Sequence, residues 1–491
     1  MSLLKLERWV FEEPRKATAI FAAGVLALRW LLQRKIDRFR QVPGVFYLGV
    51  LPEIGSGSKL AKKLDEFSDK YGEEGVYEME FVGTRTVVCC GWDAMSTVLK
   101  LRPFKVTKGG IGDSVPDLAF SNGVFLSEHA KWQRERRILS PAFNMKNVAS
   151  YAPSVCAVMD QFMDALDEDC RLRGETNFSD LLPMLAADLV CKTGVGRDFG
   201  LLPARSQEEV KQVRDMLCTL GSRLWSPLPY WKIPGLARLL DPGFVADEKM
   251  REKLNEMLDN VTGEGATVFD KLKKMATEGE SLSREDLLGN LMVLFVAGTD
   301  TTSQALSWAF YQLACLPELQ EELAAQLKTL PDGHLMPDQL ESVELLSAMW
   351  LETLRFHGAA PFQSVMNQEP ITLAGRTVPP RTKIWLHYRY IMNSSPEMKR
   401  KLGEDLGIFR PSRWIGPEGI IKHPPFDSLA FGHGARVCLG RYLADYEGKI
   451  VLAMVLKKFV LEKWTKPPME ELTGFLTFPA EDVVIRLRRR E

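Results

Sequence analysis

"AFGHGARVCLG", Ala430–Gly440, is the stretch on which the reading of this chain turns. Three glycines, Gly432, Gly434 and Gly440, surround Cys438, and Arg436 stands two residues before it. Glycine allows backbone angles closed to other residues and lets a neighbour come close to the main chain. A nearby cation favours the thiolate over the thiol. The stretch thus presents a charged sulfur to a close-packed partner. A metal is one such partner, and a helix packed against a tight turn is another.

Outward from this point the chain is ordinary in bulk. It has 491 residues, 45% of them hydrophobic and 26% charged, which is enough to bury a large core. Lys and Arg number 63 against 64 Asp and Glu, so no charge argument points to nucleic acid. The eight cysteines form no CxxC pair, which suits free thiols in a reducing compartment. The histidines show no zinc spacing. No Gly/Ser linker or repeat divides the chain, so one body is expected over residues 43–491.

Residues 1–42 read differently. Ala17–Leu32 is apolar apart from Thr18 and Arg29, with Arg15, Lys16, Arg34 and Lys35 on its flanks. Its length is slightly short of the ~20 residues of an untilted span. A membrane helix and basic linker are expected here, with the larger domain on the cytosolic side. Glu7, Glu12 and Glu13 argue against a mitochondrial leader.

Helical patterns dominate from about Asp93 to Phe356, with a hairpin expected over Val76–Cys90 and minor strands near Ile371–Ile391 and Asp482–Arg490. One helix stands out. It starts at a capping signal, Ser283 with Asp286 three residues on, and meets no proline until Pro317. Its apolar middle is broken by Ala297-Gly298-Thr299-Asp300-Thr301-Thr302. Polar and helix-weakening residues at that point mark function. Further on, Glu352 and Arg355 share a helix face in apolar surroundings, and "FRPSRW" carries Arg413 in a proline-set loop. Upstream, Trp132 and Arg136 stand at i, i+4 on a basic helix.

Together these residues resemble the cytochrome P-450 superfamily, the haem-thiolate monooxygenases, in its eukaryotic membrane-anchored form. Phe431, Gly434, Arg436, Cys438 and Gly440 match F-x-x-G-x-R-x-C-x-G, and Ala297–Thr302 matches A-G-x-[DE]-T-T. Glu352 and Arg355 match E-x-x-R; Pro411, Arg413 and Trp414 match P-x-R-[FW]; Trp132 and Arg136 match W-x-x-x-R. The order and spacing hold from about Pro43 onward.

The resemblance implies a mainly α fold with small β-sheets, holding haem b between a long distal helix and a proximal cysteine loop. It gives Cys438 the iron, as axial thiolate ligand. Arg436, Trp132 and Arg136 would contact the haem propionates. Gly298 would widen the distal helix, as a π-type bulge, to admit dioxygen. Thr301 would hydrogen-bond on the dioxygen side, and Asp300 would relay protons. Glu352, Arg355 and Arg413 would form a structural charge triad. Electrons would come from NADPH through a flavoprotein reductase at the endoplasmic reticulum. Lys131, Arg134, Arg137 and Arg441 form a basic face for that partner, or a solvated helix face.

Two departures stand against the pattern. "FHGAAPF" keeps only Pro361 of the usual paired prolines, and Val365 falls where many members carry a propionate-binding arginine. The stretch Leu224–Leu240, rich in Trp and Leu, reads either as a channel lid that dips into a membrane or as a loop packed on its own body. Two other functions compete: a haem-thiolate hydroperoxide isomerase or lyase, and a non-catalytic haem-binding membrane protein. Thr301 and the ordinary Phe431–Cys438 spacing disfavour the former.

Overall fold

The computed structural model describes residues 39–490, apart from 46–47, 55–58, 82, 110, 227–228, 234, 262, 264, 277–281 and 475. The membrane segment expected at residues 17–32 lies outside them. Among the described residues, no helix is long and apolar enough to cross a membrane.

Two β-rich runs form the expected hairpin, β1 (Val76–Phe81) and β2 (Thr84–Cys89), turning through Gly83 at φ 65°. They extend into a five-stranded sheet with β3 (Val106–Thr107), β4 (Gln363–Asn367) and β5 (Lys383–Leu386), in the order β1-β2-β5-β4-β3. β2 and β5 run parallel, and the other pairs are antiparallel. Side chains alternate across the sheet. Val87, Val365, Ile384 and Leu386 enter one apolar cluster, while Tyr77, Met79, Val88 and Trp385 enter another. The strand expected near the C-terminus is Val484–Arg489, paired with Phe459–Leu461 and Glu175–Asn177.

The larger layer is helical. Its principal members are α1 (His129–Leu139), α2 (Phe178–Val195), α3 (Glu208–Trp225), α4 (Arg284–Cys315), α5 (Glu344–Phe356) and α6 (Arg441–Lys458). α4 begins where the sequence signals it: Ser283 Oγ accepts the Asp286 N–H at 3.1 Å. It ends at Cys315, two residues before Pro317, whose ring disfavours helical angles at Leu316. At 32 residues it spans about 48 Å. Apolar residues on most of its faces place it inside the helical core, against α2, α5 and α6.

Gly298 lines a central cavity without the expected bulge. α4 is α-helical throughout, with no π-type bulge. The glycine also admits α2, since a Cβ there would lie 2.5 Å from Val190 Cγ2. Close packing of two buried helices explains this residue without any local widening.

Candidate active site

Between α4 and the loop Phe431–Gly440 lies a cavity of about 420 Å³, lined mostly by apolar side chains. Ala297, Gly298, Thr301 and Thr302 face it from α4, and Phe431, Cys438 and Gly440 from the loop. The two most informative sequence motifs thus meet across one space.

The loop is held by its own backbone. The Cys438 N–H donates to the Phe431 carbonyl at 2.8 Å, and the Val437 N–H to that of Gly434 at 3.1 Å. Gly434 sits at φ 77°, which strains any residue with a Cβ. Gly440 has ordinary angles, but a Cβ there would meet no protein atom within 4 Å. Cys438 opens onto the cavity and is a free thiol. Burial pushes that thiol up, and the Gly440 N–H, Arg136 and Arg441 pull against it without prevailing. A metal ligand is deprotonated outright by the metal's own charge.

Cations gather on one wall. Arg436 lies over the Trp132 ring at 4.3 Å and donates to the Ser127 carbonyl at 2.8 Å, the Val124 carbonyl at 3.3 Å and Glu128 Oε2 at 2.5 Å. Only its Nε is left buried without a partner. Burial, above all, lowers Arg436 to about 10. Arg136 also faces the cavity, and its guanidinium has no hydrogen bond or ion pair among the described residues.

Two cations that the sequence reading did not single out complete this wall. Arg102 is buried, donates to Gln363 Oε1 at 2.5 Å, and leaves Nε and one Nη unpartnered. Lys108 is buried with its ammonium 3.0 Å from the Phe125 ring centroid. Burial, then the neighbouring Arg102 and Arg436, hold it well below the usual lysine range. Val365, by contrast, is buried in the apolar cluster of its sheet face, and Gln363, two residues earlier on the same face, reaches the cavity instead. Gln363 also accepts from the Tyr388 hydroxyl at 3.2 Å, which fixes it as the acceptor that aims Arg102.

These observations test whether haem suits the site. A thiol facing the cavity, a glycine whose Cβ would project into open space, and buried guanidinium donors without acceptors match a flat iron ligand carrying acid groups. The residues fit.

On α4 the two catalytic candidates diverge. Thr301 lines the cavity, and its hydroxyl donates to the Ala297 carbonyl at 2.6 Å. Its oxygen can still accept from a proton donor in the cavity. Asp300 is not among the cavity residues; it faces Arg214 of α3 and Gln304. Burial raises its carboxyl against the pull of Arg214.

Glu352, Arg355 and Arg413 meet away from the cavity. Arg355 donates to Glu352 through Nε at 2.9 Å and Nη2 at 2.8 Å, and Arg413 Nε does so at 3.0 Å. The Arg410 N–H at 2.8 Å and the Trp414 indole at 2.9 Å complete the ring of donors. Burial pushes the Glu352 carboxyl up, but Arg355 and the other donors outweigh it and hold it low. Glu447 of α6 is the opposite case: it is buried at the cavity, its Oε1 has no partner, and burial raises it to about 8.

The stretch Leu224–Leu240 joins the body through Arg223, which is fully buried. Arg223 binds Asp117 at 2.5 and 2.8 Å and Asp241 at 2.9 and 2.8 Å. Leu220 and Leu224 reach the cavity, while Ile233, Leu239 and Leu240 point outward. On the basic face, Lys131 and Arg134 are bound to Asp286 at 3.0 and 2.9 Å.

Comparison with known proteins agrees with this geometry. The family profile described as Cytochrome P450 matches residues 40–485. The chain is 28% identical to rabbit (Oryctolagus cuniculus) mitochondrial sterol 26-hydroxylase over 70% of its own length and 67% of the relative's. It is 24% identical to rat (Rattus norvegicus) mitochondrial 1,25-dihydroxyvitamin D(3) 24-hydroxylase, covering 90% and 87% of the two chains. Cytochrome P450 4d1 of Drosophila melanogaster is 23% identical, over 91% and 92%. The crystal structure of the cytochrome P450DA heme domain superposes with a TM-score of 0.80 at 19% identity, over 93% of this chain and 98% of that one, which speaks for the fold.

Proposed function

Starting from the fact that the chain belongs to the cytochrome P450 family and is a P450 monooxygenase, we propose that it hydroxylates a small, largely apolar organic substrate in the cavity beside α4. The observation that carries this reading is the pairing of Cys438 with Thr301 across one apolar space, beside cations with unfilled donors. Cys438 Sγ would hold the iron of haem b. Arg102, Lys108, Arg136 and the Nε of Arg436 would hold its acid groups, with Gln363 aiming Arg102. When bound, the haem supplies the oxygen-activating chemistry, which thiolate ligation favours.

The chain's own residues do the rest. Val293, Ala297, Leu220 and Leu476 exclude water and press the substrate toward the Cys438 side. Thr301 Oγ1 presents the proton on the α4 side, its rotamer held by the Ala297 carbonyl until a better acceptor competes. Asp300, whose carboxyl burial raises on the α3 side of the helix, is the proposed relay behind Thr301. The Glu352 cluster acts on architecture alone.

Electrons come from NADPH through a redox partner. A flavoprotein reductase at the endoplasmic reticulum is favoured by the apolar segment at 17–32 and by the lack of lysines in "LLSAMWLE" before Glu352. Two of the relatives are named as mitochondrial, so reconstitution with a flavoprotein reductase and, in parallel, with a ferredoxin is the direct comparison.

The first test is the absorption spectrum of the reduced, carbon monoxide-bound protein beside Cys438→Ala. A strongly red-shifted Soret band in the parent, lost in the variant, is the expected result. A histidine-type band in the folded parent overturns thiolate ligation by Cys438. Thr301→Ala should keep the band yet lower coupled product by ~10²-fold, with reducing equivalents diverted from product. Unchanged coupling would remove Thr301 from the proton path.

A further inference from the structure

Away from the cations that flank the Cys438 loop, one more ammonium reaches the cavity. Lys383 opens β5 and is half-buried, and it makes no hydrogen bond or ion pair among the described residues. Burial lowers it from the usual lysine value, a desolvation that no carboxylate among the described residues offsets. Across the parallel pair, Thr86 of β2 stands in register with it. The Thr86 side chain lines the same cavity, is fully buried, and its Oγ1 has no partner. An unpaired ammonium beside an unpaired hydroxyl is a donor pair without an acceptor.

The pair is separate from the donors assigned to haem. Gln363, which aims Arg102, stands in register with Leu386, three residues along β5 from Lys383. At about 3.3 Å per residue this is about 10 Å of strand. The surroundings are also different, for Phe81, Phe362 and Trp385 share this sheet face, with Phe362 stacked on Trp385 at 5.0 Å. Those aromatic rings lead from the donor pair into the apolar space before α4. A ligand that satisfied both parts would carry one anionic end and an apolar body.

We propose that Lys383 and Thr86 form a carboxylate subsite, and that the substrate class is an amphipathic organic acid, anchored by its carboxylate at the sheet with its apolar body extended toward Thr301. This rests on the reading of the cavity as a monooxygenase substrate site. Lys383 Nζ supplies the ion pair, Thr86 Oγ1 a hydrogen bond, and the aromatic face the desolvated wall that strengthens both.

The test uses calorimetry on the full-chain holoprotein with two probes of equal chain length, dodecanoate and dodecan-1-ol. The expected result is that dodecanoate binds about tenfold or more tightly than the alcohol, as one charge-assisted contact provides. Lys383→Gln should remove that preference and leave the alcohol's affinity unchanged, and Lys383→Arg should retain it. Equal affinities in the parent, or equal loss of both probes in Lys383→Gln, would overturn the proposal. The carbon monoxide spectrum of the same samples separates the two readings. An intact thiolate band without carboxylate preference sinks the subsite alone. A carboxylate preference without that band sinks the monooxygenase reading alone.

Discussion

Around Glu352 each buried charge finds its counterpart within the chain, whereas along the cavity wall Arg102 and Arg136 find no carboxylate and Glu447 no cation among the described residues. Both regions are buried and use the same residue types. In the first, Arg355, Arg413, Trp414 and the Arg410 amide surround one carboxylate, which stays ionised. In the second, donors and acid alike face a shared space, and the titratable groups move toward their neutral forms. A closed cluster supports the fold by itself. An open one is expensive until something of opposite charge fills it, so unmet hydrogen-bonding capacity reads out the chemistry of what is bound.

The comparison can be broken most forcefully at its closed end. Glu352→Ala leaves the buried Arg355 without its carboxylate and Arg413 with Asp405 alone, and should cost about 3–5 kcal/mol, read as lost thermal stability with the substrate cavity's own residues untouched. If that variant melts like the parent, the cluster is not closed in the sense argued. At the open end, Arg102→Met should leave the melting of the chain unchanged or higher, because it removes a buried, half-satisfied cation. The same change should speed haem release about tenfold, measured as transfer to a scavenging apoprotein, since a charge-assisted bond to the acid group is lost. A variant that loses both stability and haem together would place Arg102 with the closed cluster instead.

The two glutamates give a finer contrast through pH. Glu352 is held below its ordinary 4.5, so its contribution is fully present above that pH and is lost as pH falls through the depressed value. Glu447 is raised to about 8, so the folded state favours its protonated form, and stability is lost as pH rises from 4.5 through 8. Glu447→Gln should therefore flatten a melting-temperature profile between pH 4.5 and 8 and leave the limb below pH 4.5 alone. An unchanged slope between pH 4.5 and 8 would mean that burial does not raise Glu447. The smallest expected effect concerns packing: Gly298→Ala should cost about 1–3 kcal/mol by pushing α2 away at Val190, with little change in the carbon monoxide spectrum.

Elements with local signatures were legible in advance. The Gly83 hairpin, the start of α4 at Ser283 and its end before Pro317 each follow from turn, capping or proline chemistry acting over a few residues. The pairing of Glu352 with Arg355 follows from helical spacing, and its link to Arg413 came only from the order of motifs. What stayed hidden depends on which face a side chain takes and on what distant chain meets it. Nothing local in "LRPFKVTKGG" singles out Arg102 and Lys108, yet the fold buries both at the cavity. Val365 drew attention by position, but it is packed into the apolar cluster, and Gln363, two residues earlier on the same face, is the one that meets Arg102 at the cavity. Asp300 and Thr301 are neighbours in sequence, and the helical turn of 100° between them aims one at Arg214 and the other into the cavity. Gly298 was read as room for a ligand; it lines the cavity and also gives room to Val190, which its position in the sequence does not show.

Gly440 carries a different kind of information. Its angles are open to any residue, and no protein atom lies within 4 Å of where its Cβ would be. Nothing in the polypeptide therefore forbids a larger side chain there. If selection keeps this position small, the pressure comes from a body with its own fixed shape that the chain must admit. Part of the signature around Cys438 is then the outline of a second molecule written in amino acids, and it would be inherited by any sequence that wraps the same object, whatever its fold.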